Sequence, residues 1–193
     1  MSSLVLTGDT SGTGTITVPA VAGTFTATMG SATGTHFPFS SATAVASTSG
    51  TSIDFTSIPS WVKRITVMLN GVSTNGTSNI QIQIGDSGGI ETTSYVSGAG
   101  FAGGTNSAGS TTSTTGFVLS VSGTAATTTS GIAVICNHTS NTWSESFSGA
   151  YGTGVGAFGG GYKDLSATLD RIRITTVNGT DTFDAGSINI LYE

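Results

Sequence analysis

The chain has 193 residues, a net charge of −5 and only 8% charged residues, against about 25% in an average chain. Its five basic residues, Lys63, Arg64, Lys163, Arg171 and Arg173, form no stripe, which argues against a nucleic-acid partner, since phosphate binding needs clustered Lys and Arg. No apolar run approaches the ~18 residues that a spanning helix needs, so no membrane insertion is expected.

Low charge and 29 glycines are also the marks of disorder, but disordered chains are poor in aromatic and β-branched residues. This chain is rich in Ile, Val and Thr and has nine Phe, four Tyr and two Trp. It is expected to fold. The opening Met1-Ser2-Ser3-Leu4-Val5-Leu6 carries no basic n-region and no long apolar stretch, so no secretory signal is expected, and the sequons at Asn75, Asn137 and Asn178 carry little weight.

Residues 1–45 hold only short apolar patches, Leu4-Val5-Leu6, Ile16-Thr17-Val18 and residues 25–29, joined by Thr, Gly and Ser and interrupted by Pro19 and Pro38. Such a segment is too sparse to bury a core alone. It must lie on the main domain, on a partner protein or against copies of itself. Residues 46–193 are expected to form that main domain.

From Ser52 onward the pattern is alternation with period 2, the mark of half-buried strands. Ile53-Phe55, Ile65-Val67-Leu69 and Ile80-Ile82-Ile84 come first, the last with Gln81 and Gln83 on a polar outer face. Phe117-Leu119-Val121, Ile132-Val134-Cys136, Trp143-Glu145-Phe147, Leu165-Ala167-Leu169, Ile172-Ile174 and Ile188-Ile190-Tyr192 follow, with Gly, Asn and Ser clusters between them. Short strands punctuated by turn signals read as all-β. Two stretches echo each other. Residues 64–82 and 171–190 each read as strand, Asn-Gly turn, strand, and Asn-Gly accepts the positive φ of a tight hairpin. The apolar last strand is expected to be tied into a sheet.

Gly85-Asp86-Ser87-Gly88-Gly89 spells the surroundings of the nucleophilic serine in chymotrypsin-type proteases, and His36, Asp54 and Ser87 follow that family's chain order. The context fails. His36 sits in Gly34-Thr35-His36-Phe37-Pro38, and the span from His36 to Ser87 is too short to complete one barrel and enter a second. His138 comes after Ser87, which would need yet another order. Asp, Ser and Gly are turn residues, and Gly85-Asp86-Ser87-Gly88-Gly89 reads as a turn.

Gly154-Val155-Gly156-Ala157-Phe158-Gly159 matches a dinucleotide fingerprint on paper, but no helix signal follows it, and a flexible loop is the expectation. Its aromatic neighbours, Tyr151, Phe158 and Tyr162, are the candidate receptor-binding residues, a platform for sugar rings among small residues; packing against a neighbouring chain would explain them equally well. Trp143 and Phe147, which share strand parity, are expected in the core. Asp181 and Asp184 read as solvated turn residues rather than a glycosidase pair. Cys136, the one cysteine, reads as a buried small hydrophobe. No catalytic residue, cofactor or metal site is expected.

Ser2-Ser3-Leu4-Val5-Leu6-Thr7-Gly8-Asp9-Thr10-Ser11-Gly12, followed by Ile16-Thr17-Val18-Pro19-Ala20, resembles the opening of many tailed-bacteriophage fibre and minor virion proteins. Residues 51–67, with Ile58-Pro59-Ser60-Trp61-Val62-Lys63-Arg64, are similar to the start of a C-terminal domain in that group. Asp170-Arg171-Ile172-Arg173-Ile174-Thr175 and residues 178–190 resemble its end. Thr13-Gly14 and residues 25–30 depart from the pattern, and residues 95–165 carry no matching motif.

The resemblance implies a virion structural role without an active site. Combined with the residue pattern, it leads to an expected homotrimer with an N-terminal attachment segment and a C-terminal jelly-roll-like antiparallel β-sandwich. The segment would bind a baseplate, tail or other virion protein. The β domain would adhere to a host cell-surface glycan, in a virion appendage made in the host cytoplasm. A head fibre or capsid decoration protein without a receptor role, and a small glycan-degrading tailspike, are the alternatives.

Overall fold

A computed structural model describes residues 3–7, 13–17, 40–104, 107–121 and 124–193. His36, Pro19, Pro38 and the apolar patch at 25–29 lie outside the described residues. The chain divides into two compact units, residues 1–36 and 37–193. In the first, strands β1 (Ser3–Thr7) and β2 (Thr13–Thr17) pair antiparallel, with Leu4 opposite Ile16 and Leu6 opposite Gly14.

The second unit is all-β and antiparallel. Its strands are β3 (Ser40–Ser41), β4 (Val45–Ala46), β5 (Ser52–Phe55), β6 (Arg64–Thr74), β7 (Ile80–Asp86), β8 (Gly89–Ile90), β9 (Val96–Gly103), β10 (Ser107–Ser113), β11 (Phe117–Val118), β12 (Thr129–Thr139), β13 (Thr142–Tyr151), β14 (Val155–Asp164), β15 (Arg171–Thr176) and β16 (Phe183–Tyr192). The larger sheet runs β10-β9-β14-β13-β12-β6-β16-β3, with β4 also on β16; the smaller runs β11-β7-β15-β5, with β8 on β7. Residues ahead of 45 already belong to this unit: β3 pairs with β16, and the Ala42 amide donates to the Ile190 carbonyl at 2.9 Å.

One core fills the space between the sheets. Ile65, Val67 and Leu69 of β6, Ile188 and Ile190 of β16, Ala133 and Ile135 of β12, and Trp143 and Phe147 of β13 come from the larger sheet. Ile53 and Phe55, Ile80, Ile82 and Ile84, Phe117, Ile172 and Ile174 come from the smaller. The period-2 reading therefore gives the inward face of most strands. It gives the wrong phase on β12: Ala133 and Ile135 face the core, whereas Ile132 is exposed and Val134 and Cys136 are half-buried on the outer side. The small inward Ala133 hid the true face. Leu165 and Leu169 are buried, but from an irregular segment rather than a strand.

The two echoing stretches are not hairpins. β6 lies in the larger sheet and β7 in the smaller, and β15 and β16 are divided the other way; β6 pairs with β16, and β7 with β15. Each stretch crosses from one sheet to the other, and the two crossings lock together. Asn70-Gly71 is no turn, since β6 runs through it. Gly71 has φ +62° opposite Gly186 at φ +93°, where the β6–β16 register slips between Ala185 and Ser187. This is a β-bulge, which strengthens the local twist and takes glycine readily. Asn178-Gly179 is a turn, with Gly179 at φ +69°.

The polar face of β7 is buried rather than half-exposed. Residues 113–116 fold over it: Ser113 and Thr115 hydroxyls donate to Gln81 Oε1 at 3.3 and 3.0 Å, and Gln83 Nε2 donates to the Thr115 carbonyl at 2.9 Å.

A methyl added at Gly186 would sit 2.5 Å from the Gly71 carbonyl oxygen and 2.6 Å from that of Asn70, whereas one at Gly154 (φ +90°) meets nothing within 4 Å. Both positions carry the strain of positive φ, but only Gly186 adds a backbone clash. Gly154→Ala is expected to cost about 1 kcal/mol and Gly186→Ala about 3 kcal/mol or more, read as the difference between their urea-unfolding free energies.

Candidate functional site

Residues that face away from the core on the larger sheet fall into cross-strand rows. One row runs Ser110, Gly100, Phe158, Ser148, Ile132, Met68 and Asn189; the next runs Thr112, Gly98, Gly160, Ser146, Val134, Thr66 and Leu191. A third runs Val96, Tyr162, Ser144, Cys136 and Arg64. Apart from Arg64, these three rows contain no charged residue. The outer side of the smaller sheet is different, with Arg173 opposite Asp54 and Arg171 beside Asp170.

Phe158 and Tyr162 are 55% and 47% exposed, on the same face of β14. Phe158 lies over Gly100, its ring atoms 2.9 and 3.0 Å from where a Cβ on Gly100 would be. An aromatic ring laid across a cross-strand glycine covers bare backbone that would otherwise be solvated. A shallow groove of about 690 Å3 runs on this side of the ring, lined among others by Gly98, Gly100, Ser110, Thr112 and Phe158. On the other side of β14, Ser144, Ser146 and Ser148 are all exposed along β13.

Among the residues singled out from sequence, the structure brings Phe158 and Tyr162 together and sets Tyr151 apart. Tyr151 has the parity of Trp143 and Phe147 and packs half-buried against the core. The stretch expected to be a flexible loop is instead β14, entered through a turn with Gly152 and Gly154 at positive φ. Glycine is poor in strands unless something comes close to it. Here something does: a Cβ on Gly159 would lie 2.8 Å from the Val118 carbonyl oxygen, and one on Gly161 2.2 Å from that of Val96. The serine row of β13 was missed, though Trp143-Ser144-Glu145-Ser146-Phe147-Ser148 carries the signal, with large residues on one parity and serine on the other.

Asp86 and Gly89 pair across the β7–β8 turn, so Gly85-Asp86-Ser87-Gly88-Gly89 is a hairpin with Ser87 at its tip. The Ser166 hydroxyl and the Gly88 amide, both at 2.7 Å, hold the Asp86 carboxyl below its ordinary range. Asp54 is forked by Arg173 at 2.8 and 2.7 Å. Asp181 and Asp184 are hydrogen-bonded rather than merely solvated: Asp181 accepts from the Ser78 amide at 2.9 Å and from Asn178 Nδ2 at 2.6 Å, and Asp184 accepts from the Ser73 hydroxyl. Among the described residues, no three His, Cys, Asp or Glu side chains gather as a metal site.

Lys163 and Glu145 lie deep on the inner side of the larger sheet. Lys163 is buried, with Nζ 2.5 Å from Glu91 Oε2, 2.6 Å from the Asp164 carbonyl and 5.6 Å from the Tyr95 ring centre. Burial alone would raise the Glu91 carboxyl, but Lys163 and Ser166 outweigh it and hold it below its ordinary range. Glu145, on the inner side of β13 between Ile135 and Gly161, has no hydrogen-bond partner for either carboxylate oxygen. Burial pushes it up to about 8 from an ordinary 4.5. The folded state therefore keeps a proton that the unfolded chain releases. The stability from neutral Glu145 is fully present below pH 4.5 and is lost as pH rises to about 8, a swing on the order of 4 kcal/mol. Urea unfolding at about pH 5 and about pH 8.5 is expected to show the fall, and Glu145→Gln to remove most of it.

No protein-family model, curated protein or solved structure matches this chain.

Proposed function

We propose that the protein is a structural appendage of a tailed-bacteriophage virion, a tail fibre, that adheres to a host-surface glycan through the outer face of its larger sheet. The observation that carries this reading is the pair Phe158 and Tyr162, two large rings about half exposed on one face of one strand. With Val96 and Ile132, also about half exposed, they share the outer face, and apolar side chains gathered on one face mark an interaction site more often than single ones do. Backbone pairing on both sides of β14 holds the two rings in place, and side chains on sheet strands are positioned more firmly than those on loops. The resemblance of residues 2–20, 51–67 and 170–190 to fibre and minor virion proteins supports the virion setting.

Residues 1–36, the first unit, serve as attachment to the virion and as the trimer contact. Strands too sparse for a core of their own gain burial from other copies. Light scattering on the full chain is expected to give three times the chain mass of 19.1 kDa, and a chain beginning at Phe37 to lose that assembly. A full chain that stays monomeric at micromolar concentration overturns the trimer.

The adhesion reading is tested by adsorption of purified protein to host cells. Removing a ring from a true binding site commonly costs upwards of about 1 kcal/mol, so Phe158→Ala and Tyr162→Ala should each weaken adsorption by about fivefold or more at unchanged melting temperature. Tyr151→Ala should lower the melting temperature and leave adsorption intact. A parent protein that does not adsorb supports the head fibre or decoration role instead.

A further inference from the structure

The chemistry of the ligand follows from where the charges are. All five basic side chains are engaged. Arg64 Nη1 lies 2.8 Å from Glu193 Oε1, Lys163 Nζ 2.5 Å from Glu91, Arg171 Nε 2.6 Å from Asp170, and Arg173 is forked onto Asp54. Lys63 Nζ donates to Asn137 Oδ1 at 3.2 Å. Lys163 faces inward, and Arg171 and Arg173 belong to the other sheet. Arg64 shares a cross-strand row with Ser144 and Tyr162 and stands two strands from Ser144, about 9–10 Å at ordinary strand spacing, with its guanidinium held by Glu193. The nearest charge to Tyr162 on its own strand and face is acidic, Asp164, whose Oδ1 accepts from the Thr142 hydroxyl at 2.6 Å. Sialate, uronate and phosphate groups would meet the Asp164 carboxylate here, and the Arg64 guanidinium is already paired with Glu193.

The relief of the face is set by strand order. β14 carries the aromatic ridge, and β13 beside it carries the exposed row Ser144, Ser146 and Ser148. Beyond β13, β12 raises a second ridge with Ile132 and Val134. The Phe158 ring leans away from β13, over Gly100 of β9, so Tyr162, paired with Ser144, is the ring beside the serines. The ridges stand two strand spacings apart, about 9–10 Å between strand axes, and the serine row is the floor of the trough between them. Its floor offers hydroxyls, each both donor and acceptor, and its walls offer apolar and aromatic surface. That pairing suits a sugar, which has a C–H face and a rim of hydroxyls. It suits a second copy of the chain poorly, because interfaces between protein chains are depleted in Ser and enriched in packed apolar anchors.

Building on the adhesion reading, we infer that the receptor is a neutral glycan chain, seated in the serine trough of β13 with a sugar ring against Tyr162. The test is binding of the full chain to immobilised neutral hexasaccharides of glucose, galactose and mannose, and to polygalacturonate, polysialic acid and polyglycerol phosphate. Binding to at least one neutral chain is expected, with less than about a twofold change between about 0.05 and 1 M salt, because no charge pair is there to be screened. Ser146→Lys reads the sign. At an exposed strand position it leaves the fold intact, as the melting temperature checks, and it fills the trough floor with a cation. A neutral ligand should bind at least about tenfold more weakly, whereas an acidic one should bind more tightly. Binding confined to the acidic polymers, or strengthened by Ser146→Lys, overturns the inference while leaving adhesion standing. Binding to no neutral chain by a protein that adsorbs to host cells overturns it equally. Failure to adsorb to host cells removes the adhesion reading itself. A change of assembly mass in Ser146→Lys would show that a second copy covers the face, and would also overturn the inference.

Discussion

The pairing of β6 with β16, and of β7 with β15, is the arrangement on which the rest of the sandwich depends. Each of the two strand pairs is assembled from both echoing stretches, so neither sheet can form its centre from one continuous piece of chain. Contacts of this kind close long loops before they gain burial, which is costly in entropy. What offsets that cost is the inward set of Ile65, Val67, Leu69, Ile188 and Ile190 against Ile80, Ile82, Ile84, Ile172 and Ile174, all buried. The opposed glycines at the bulge, Gly71 and Gly186, let the β6–β16 pairing bend without a side chain caught between carbonyls. The strands that carry the candidate site, β13 and β14, are laid onto this centre through β12.

Toward β9 and β10 the inner side of the larger sheet changes character. Its inward residues there are Ala99, Ala157, Gly159 and Gly161 rather than isoleucines, and β11 comes close enough that the Val118 carbonyl abuts Gly159. Small residues inside permit that approach. The same glycine-rich sequence leaves the outer side low around Phe158 and Tyr162, so that the rings project from a shallow floor. One composition thus serves two faces: thin packing within, and relief without. The buried Lys163–Glu91 pair lies at the end of this region, where Lys163 closes β14 on the inner side while Tyr162 looks outward beside it.

Much of this was legible in the sequence, and the failures have definite causes. The all-β class and the inward parity of β5, β6, β7, β13, β15 and β16 follow from alternation alone. On β12 the rule failed because the inward residues include Ala133, while Ile132 and Val134 lie outside, and hydrophobicity alone assigns the larger residues to the core. At β14 it failed because glycine is the residue of loops unless a neighbour presses on its Cα, and only three-dimensional structure shows the Val96 and Val118 carbonyls doing so. The Asn-Gly echo misled because a hairpin turn and a bulge require the same positive φ, and nothing local separates Gly71 from Gly179. Phe158 and Tyr162 could be picked out by their type and glycine-rich setting; Tyr151 shares the parity of Trp143 and Phe147, but nothing local shows that β13 runs on as far as Tyr151.

Charge links the architecture to the candidate site. A chain with so few ionisable groups places them where backbone or register needs fixing: Arg173 on Asp54 ties β15 to the edge strand β5, Arg64 on Glu193 ties β6 to the chain end after β16, and Lys163 on Glu91 fastens β14 to the segment after β8. The two exposed pairs, Arg173–Asp54 and Arg64–Glu193, add little stability each, but they hold charge at the rims and on the smaller sheet. The centre of the outer face is then left with groups that act only at contact, hydroxyls and rings, whose influence does not reach past the first layer of a ligand. Such a face cannot draw a partner from a distance by its field. What this face presents is a shape, which the pairing of β12, β13, β14 and β9 holds fixed.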